Sequence, residues 1–213
     1  MKNIRFLMLL ILTLLAVTGC AATRQVALLP AEDARYARLR AIGDPVLAKM
    51  AKESAAEYRN AIVFNQGTNA YIDKDQTITF TYNLFDIFTD DQLQCIYAHE
   101  VAHGVLGHYS KRVAASTIVT GAFMVLNVAV PGAGYLNHVV NPVTTNYFSR
   151  EQEKDADALA VRALGELGME RTVYTGMLAK LKRLSSPSNT GKGGGLWDTH
   201  PALDERIAAI ERL

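Results

Sequence analysis

Apolar residues recur at steps of three and four between Thr89 and Arg112, a spacing typical of an amphipathic helix. Thr89 is followed three residues later by Gln92, which is the spacing of a capping box, and the aspartates between them suit the positive end of the helix dipole. The pattern therefore predicts a capped helix over Thr89–Arg112. Its apolar positions are Leu93, Ile96, Tyr97, Val101 and Val105.

The same capping-box spacing recurs at Ser149 and Gln152 and predicts a second strong helix, which ends near Leu167 before Gly168. Gly43–Pro45 is expected to separate two shorter helices near the start of the chain. Further helical patterns cover Ala31–Ala41, Pro45–Tyr58, Glu170–Leu184 and the residues after Pro201.

The apolar period changes to two between Ala61 and Phe88, which predicts short strands. Strand-like segments cover Ile62–Phe64, Ala70–Ile72 and Thr77–Thr81, with a hairpin turn at residues 73–76. We expect Asn69–Ile72 to be an edge strand, which could hold an extended peptide through backbone hydrogen bonds. The predicted fold class is therefore α+β, predominantly α, with a small antiparallel β-sheet beside the Thr89–Arg112 helix.

The start of the chain has the pattern of a secretory leader. Lys2 and Arg5 precede an apolar run over Phe6–Val17 that is too short to span a bilayer as a mature helix. Small residues before Cys20 resemble the lipobox of bacterial lipoproteins, so we expect lipid attachment to Cys20, with plain secretory cleavage as the alternative. The predicted organisation is a lipoprotein signal peptide at 1–19, a lipidated tether at 20–30 and a single domain at 31–213.

An apolar segment at 113–143 separates the two capped helices. Val113–Val130 carries no charge over eighteen residues and just qualifies by length as a membrane span. Polar residues dilute it, however, and a span would have to return to the same side through the Pro-containing stretch Asn141–Asn146. We therefore favour a buried or membrane-facing helical segment over a true span.

Charge and cysteine content exclude some classes of protein. Without Lys2 and Arg5 the chain carries 20 basic and 21 acidic residues, and no basic stripe indicates a nucleic-acid partner. With Cys20 lipidated, Cys95 has no partner for an intrachain disulfide. We expect Cys95 to pack as a small buried apolar residue rather than to bind metal.

The helix over Thr89–Arg112 carries two histidines one turn apart. His99 and His103 occupy positions i and i+4, so they point to the same side and can bind one divalent metal. Glu100 then lies beside the remaining coordination position, where a carboxylate can take a proton from the attacking water. A motif this short also arises by chance, so a third ligand decides whether it is a metal site.

Glu153 is the best candidate for the third ligand, because it lies on the second capped helix with Asp157 one turn further along the same face. Asp157 could accept the second N–H of a ligand imidazole. His108 lies about 140° from His103 round a continuous helix and cannot bind the same ion without distortion. His138 lies in the apolar segment, and its spacing from the other candidates gives no reason to expect it as a ligand. The alternative is that the carboxylates at 151–157 form only a solvated acidic face.

Three sequence blocks in this order resemble a known family. The similarity is to the HtpX/BepA/LoiP-type zinc metallopeptidases, which are gluzincins related to the CAAX prenyl endopeptidases. It runs from about Ile62 to the end of the chain, and it implies a zincin-like metallopeptidase domain with one Zn²⁺ per chain. The family's membrane spans are matched only weakly here and the tetratricopeptide tail of some members is absent, which implies a minimal catalytic module. The blocks are Ile96–His103 with His108, Ser149–Asp157, and Thr199–Pro201 with Arg206-Ile207; Asn69-Ala70 also matches the strand before the metal helix.

The resemblance implies a role for each matching residue. Asp157 is expected to orient a ligand and Arg150 to hold the helix or a carboxylate in place. His200 is expected to reach the site as a catalytic hydrogen-bond donor or as a plug, or else to cap the last helix. The implied zinc ligands are His99, His103 and Glu153, with Glu100 as general base.

These residues predict a zinc-dependent metalloendopeptidase, and the resemblance implies misfolded or misassembled cell-envelope proteins as substrates. Ala21 after Cys20 predicts an outer-membrane lipoprotein that faces the periplasm of a Gram-negative cell, with the inner membrane as the alternative. Two rival interpretations stay open. One is a chaperone-like envelope assembly factor with gated or minor proteolytic activity, and the other is an integral membrane peptidase. Nothing in the pattern predicts the oligomeric state.

Overall fold

The computed structural model describes residues 27–52, 57–64, 67–132, 148–185 and 200–213. The predicted signal peptide, Cys20, most of the predicted tether and His138 lie outside the described residues. The strands are β1 (Ala27–Leu28), β2 (Arg59–Phe64), β3 (Ala70–Ile72) and β4 (Thr77–Thr81). The helices are α1 (Ala34–Met50), α2 (Leu84–Ile87), α3 (Asp90–Val105), α4 (His108–Ala129), α5 (Arg150–Glu166), α6 (Arg171–Leu184) and α7 (Leu203–Glu211).

Helix α3 is the centre of the fold. The predicted capping box is confirmed, since the Thr89 hydroxyl accepts from the Gln92 backbone N–H and the Gln92 side chain accepts from the Thr89 backbone N–H. Helices α1, α5 and α6 and strand β3 all pack against α3. Its middle is therefore buried on every side, which explains why its apolar residues are not confined to one stripe.

The junction between α3 and α4 corrects the predicted end of the metal helix. Helix α3 ends at Val105 rather than continuing to Arg112. Gly107 then adopts a φ of 64°, a left-handed conformation that glycine takes without strain, and α4 begins at His108 in a new direction. His108 is therefore not placed by the geometry of one continuous helix.

The predicted α+β class is confirmed, but the sheet is mixed rather than wholly antiparallel. The strand order is β1-β2-β4-β3. Strands β3 and β4 form the predicted antiparallel hairpin, whereas β2 pairs with β4 in parallel. Because β4 lies between β2 and β3, consecutive strands along the chain do not all pair with each other. The expected edge position of Ala70–Ile72 is confirmed, and this edge lies against α3.

The predicted break at Gly43–Pro45 is wrong, because α1 continues through Pro45. Gly43 is buried against α3, where a Cβ atom would lie 2.5 Å from Cζ of Tyr97. The glycine therefore permits close packing of two helices rather than ending one.

Cys95 packs as predicted. Its thiol is free and fully buried, and its Sγ lies 3.4 Å from Sδ of Met169.

Helix α4 has little contact with the rest of the described chain beyond its first turn. By length and composition it could cross a membrane, and none of its apolar window is buried. The expectation of a buried segment is therefore wrong for residues 113–129 within the described chain, and the membrane-facing and spanning alternatives stay predictions. Large apolar side chains exposed on it include Ile118, Met124, Val125 and Val128.

Candidate metal centre

Two capped helices bring the predicted ligands together. Helix α5 begins with the predicted capping box at Ser149 and Gln152 and packs against α3. Its buried face carries Glu153 and Asp157, whereas Glu151 is exposed. The interpretation of residues 151–157 as a solvated acidic face is therefore wrong for the two carboxylates that face α3.

The ligand atoms of four buried residues lie within 4.8 Å of one another: His99, His103, Glu153 and His200. His99 Nε2 is 3.0 Å from His103 Nε2 and 3.3 Å from Glu153 Oε2. His103 Nε2 is 3.4 Å from Glu153 Oε1. The structure thus places the three expected ligands around one point.

These separations fit a zinc ion. Tetrahedral zinc with bonds of about 2.0–2.1 Å separates its ligand atoms by about 3.3–3.4 Å, close to the observed distances. His99 Nδ1 is 3.0 Å from Asp157 Oδ1, so its proton lies there and Nε2 presents a lone pair. Two imidazole nitrogens 3.0 Å apart cannot both present lone pairs to each other, so a metal ion or a shared proton must lie between them.

His200 lies at the fourth corner of the cluster. Its Nδ1 is 3.0 Å from Glu153 Oε1 and 3.2 Å from His99 Nε2, and it is almost fully buried. His200 therefore reaches the site, as the resemblance implied. It lies within the ligand shell rather than in a helix cap, because α7 begins three residues later with Ala202 as its N-cap.

Glu100 lies beside the ligands with its two oxygens in different environments. Oε2 accepts a hydrogen bond of 3.1 Å from the backbone N–H of Ile72 on β3. Oε1 is buried, lies 3.4 Å from His200 Nε2 and makes no hydrogen bond within the described chain. Burial raises the pKa of Glu100, although the neighbouring histidines oppose this. A carboxylate of raised pKa with one free oxygen suits a general base.

The site carries an excess of negative charge. Three buried carboxylates (Glu100, Glu153 and Asp157) face the single positive charge of Arg206 when the imidazoles are neutral. Burial opposes ionisation of Glu153, but the neighbouring His200 and Arg206 and the hydrogen bonds with His103 and His200 outweigh it and hold the pKa of Glu153 well below its usual value. A divalent cation would neutralise the remaining two charges, so the donor set fits Zn²⁺.

The pKa of His99 also reflects the excess of negative charge in the site. Burial and the charge of Arg206 disfavour its protonation, yet hydrogen bonds with Asp157 and Glu153 raise the pKa of His99 to about 9. Asp157 shows the matching shift: burial would raise its pKa, but Arg206 and the hydrogen bonds from His99 and Arg206 lower it to about 2. Asp157 is thus held ionised beside His99.

Arg206 and Tyr174 are site residues to which the sequence analysis assigned no role. Both side chains are almost fully buried, and the Tyr174 hydroxyl donates to Asp157 Oδ1 over 2.8 Å. Arg206 contacts Glu153 and Asp157. Its sequence signal was the match of Arg206-Ile207 to the family pattern, which carried no role for the guanidinium.

The structure does not bring Arg150 to this cluster. Its guanidinium is exposed at the start of α5 and contacts the exposed Glu205 of α7. The carboxylates that face the ligands are held by Arg206 instead.

His108 is a further neighbour. Its Nδ1 lies 2.9 Å from Nδ1 of His103, outside the group of four ligand atoms. His108 is therefore not among the candidate ligands, as predicted, but the reason is the turn at Gly107 rather than its angle round a helix.

Comparisons with known proteins agree with the site. A family model described as Peptidase family M48 matches residues 33–213. Metalloprotease LoiP of Escherichia coli (strain K12) is 26% identical over 148 residues, which cover 67% of this chain and 57% of LoiP. Metalloprotease YcaL of the same organism is 20% identical over 197 residues, 90% of this chain and 75% of YcaL. Mitochondrial metalloendopeptidase OMA1 of Schizosaccharomyces pombe is 24% identical over 123 residues, 57% of this chain and 36% of OMA1.

Proposed function

The chain belongs to peptidase family M48, a family of metalloproteases, and from this premise we propose that it is a zinc-dependent endopeptidase. The observation that carries the proposal is the convergence of His99, His103 and Glu153 on one point, with Glu100 buried beside it. The match spans little more than half of LoiP, so the proposal rests on this site and not on the whole of that relative.

His99 Nε2, His103 Nε2 and a Glu153 oxygen would hold the zinc ion. When bound, zinc lowers the pKa of a coordinated water to near 7 and polarises the substrate carbonyl. Oε1 of Glu100 accepts a proton from the attacking water and then delivers it to the leaving amine. The hydrogen bond from Ile72 fixes Oε2 and so directs Oε1 toward the reaction.

Strand β3 would bind the substrate backbone. Asn69 and Asp73 make the ladder hydrogen bonds to β4, so by alternation the polar groups of Ala70 face away from β4. Ala70 is buried and this edge lies against α3, so an extended peptide would pair with it, close to Glu100, only once the edge is uncovered. Because such pairing uses backbone groups, it suits an enzyme that acts on unfolded segments of varied sequence.

The proposed substrates are misfolded or misassembled proteins of the cell envelope. The family resemblance supports this substrate class, and the predicted leader and lipidation at Cys20 support a location outside the cytoplasm. We propose an outer-membrane lipoprotein that faces the periplasm.

A second candidate function is a chaperone-like assembly factor with gated proteolysis. One observation favours it: His200 lies at the fourth corner of the ligand shell, where it would compete with water. In that case binding of a client protein, rather than its cleavage, would be the main role.

Replacement of Glu100 by Gln tests the catalytic proposal. We expect Glu100→Gln to bind zinc as the wild type does but to lose at least about 100-fold in cleavage of an unfolded substrate such as casein, because it removes the proton acceptor. Glu151→Gln, an exposed carboxylate on α5, is the matched control and should keep full activity.

Cleavage by Glu100→Gln at the wild-type rate would contradict the mechanism. A cellular phenotype that survives Glu100→Gln would favour the assembly-factor interpretation.

A further inference from the structure

His103 is held on more than one side. Its Nε2 faces the ligand cluster, and its Nδ1 lies 2.9 Å from Nδ1 of His108. Its ring stacks on Phe148, with centroids 3.9 Å apart and an angle of 18° between the planes. The ring of this candidate ligand is therefore positioned by residues outside α3.

Only one placement of the ring protons at the contact between His103 and His108 leaves Nε2 of His103 free to bind a metal. A neutral His103 that presents its Nε2 lone pair to a metal carries its proton on Nδ1. That N–H then donates to Nδ1 of His108, so the proton of His108 lies on its own Nε2. Carboxylates, backbone carbonyls and waters are the usual acceptors for the second N–H of a metal-bound histidine, and here an imidazole takes that place.

We propose that His108 is a positioning residue for the metal centre: its Nδ1 accepts the Nδ1–H of His103 and so fixes the orientation and tautomer of that ligand. This inference rests on the proposed metal site, because it assigns a role toward a bound ion. His108 is 2% exposed, so water does not compete readily for the contact.

The chain is built to present His108 in this way. Gly107 turns the backbone between α3 and α4, and this turn brings His108 back toward the preceding helix. One turn further along α4, the Arg112 guanidinium lies 4.7 Å from the centroid of the Phe148 ring that stacks on His103. The first two turns of α4 therefore contact the edge of the His103 ring through His108 and the Phe148 ring on its face through Arg112.

Two variants of His108 distinguish the contribution of its hydrogen-bond acceptor from the contribution of its ring to packing. His108→Phe keeps an aromatic ring but has no acceptor. His108→Asn places Oδ1 at the same number of bonds from Cβ as Nδ1, so it restores the acceptor without the ring. Ser110→Ala, an exposed position in the same turn of α4, is the control.

The measurements use the purified full chain. Zn²⁺ affinity is measured by competition with a chelator, and the absorption spectrum of Co²⁺-loaded protein reports the ligand geometry. We expect His108→Phe to bind Zn²⁺ about 10- to 100-fold more weakly and to alter the Co²⁺ spectrum. His108→Asn, which restores the acceptor, and Ser110→Ala, which touches no ligand, should both lose less than about 10-fold in affinity, the lower end of that range.

Wild-type Zn²⁺ affinity and an unchanged Co²⁺ spectrum in His108→Phe would overturn the proposal. Equal losses in His108→Phe and His108→Asn would do the same, because restoring the hydrogen-bond acceptor would then have no effect. If the wild type itself binds no Zn²⁺, the proposed enzymatic function fails instead, so the two failures are distinguishable.

A long-range ¹H–¹⁵N spectrum of the zinc-loaded wild type shows directly which imidazole nitrogens carry protons, and it needs no variant. The proposal requires a proton on Nδ1 of His103 and none on Nδ1 of His108. A proton on Nδ1 of His108 would overturn it, even if His108→Phe does not fold.

Discussion

Arg206 binds Asp157 through two hydrogen bonds of 2.7 Å, one from Nε to Oδ2 and one from Nη2 to Oδ1. Its Nη1 also lies 2.6 Å from Oε2 of Glu153. One guanidinium from α7 therefore holds both carboxylates that α5 presents to the histidines of α3. The last helix thus completes a site whose carboxylates and first two histidines lie about fifty or more positions earlier in the sequence.

Removal of this guanidinium should destabilise the fold strongly. Arg206→Ala leaves two buried carboxylates without their cation, and we expect the free energy of unfolding to fall by about 3–5 kcal/mol. Arg150→Ala breaks only the exposed pair with Glu205 and should cost less than about 1 kcal/mol. Urea unfolding of the metal-free proteins measures both. Equal losses in the two variants would show that Arg206 has no special role.

A pair of glycine substitutions tests the packing of α1 on α3. Gly43→Ala places a Cβ atom 2.5 Å from Cζ of Tyr97, and we expect it to lower the free energy of unfolding by about 1–3 kcal/mol. Gly176→Ala, inside α6 with nothing near its Cβ position, should raise the free energy of unfolding by about 0.5–1 kcal/mol. Thermal unfolding of both variants is the measurement. A stabilised Gly43→Ala would contradict the close approach of these helices.

Cys95 should be inert to alkylation in the folded protein. Burial and the charge of Asp91 raise the pKa of Cys95 to about 12, and the thiolate is the reactive form. Since the folded state retains a proton that an unfolded thiol releases above pH 9.0, this group should also lower stability as pH rises from about 9 to about 12.

Maleimide labelling of a mature chain that begins at Ala21 checks this, because Cys95 is then the only cysteine. Labelling at pH 8 should require denaturant. Native-state labelling at the rate of an exposed cysteine would refute the burial of Cys95.

Helix α4 should attach the protein to membranes independently of Cys20. The mature chain from Ala21 has no lipidation site, yet we expect it to bind vesicles through the exposed apolar surface of α4. Ile118→Asp with Val125→Asp should abolish binding, since both side chains are more than 70% exposed and each charge costs about 2.5–3.5 kcal/mol inside a bilayer.

Ser110→Asp, in the polar first turn of α4, is the control and should bind as the unmodified mature chain does. Co-sedimentation with vesicles measures all three proteins. A mature chain that stays in the supernatant would leave lipid at Cys20 as the sole proposed anchor.

Local sequence signals predicted the helices of the site well. The capping boxes at Thr89 and Ser149 involve residues only three positions apart, so the start of each helix could be read directly. The end of α3 was missed, because helical periodicity continues past Gly107 while the turn depends on its backbone conformation. Sheet pairing was missed in part, because alternation along a strand is the same for parallel and antiparallel neighbours.

The site residues also differ in whether local spacing or the folded chain reveals them. His99 and His103 were predictable from their spacing on one helix, and Glu153 required the additional expectation that a second helix packs against the first. Arg206 could not be assigned, because its partners on α5 lie about fifty residues away and only the folded chain brings them together. The role of His108 depends on the turn before α4 and was hidden for the same reason.

The zinc content of the purified protein shows whether Glu153 completes a metal site. The full chain, Glu153→Ala and Glu151→Ala are purified in the presence of Zn²⁺, dialysed against a weak chelator and analysed for bound metal by mass spectrometry. The account predicts one zinc per chain in the wild type and in Glu151→Ala, and little or none in Glu153→Ala, which lacks the carboxylate that completes the ligand set. Full zinc content in Glu153→Ala, or none in the wild type, would contradict it.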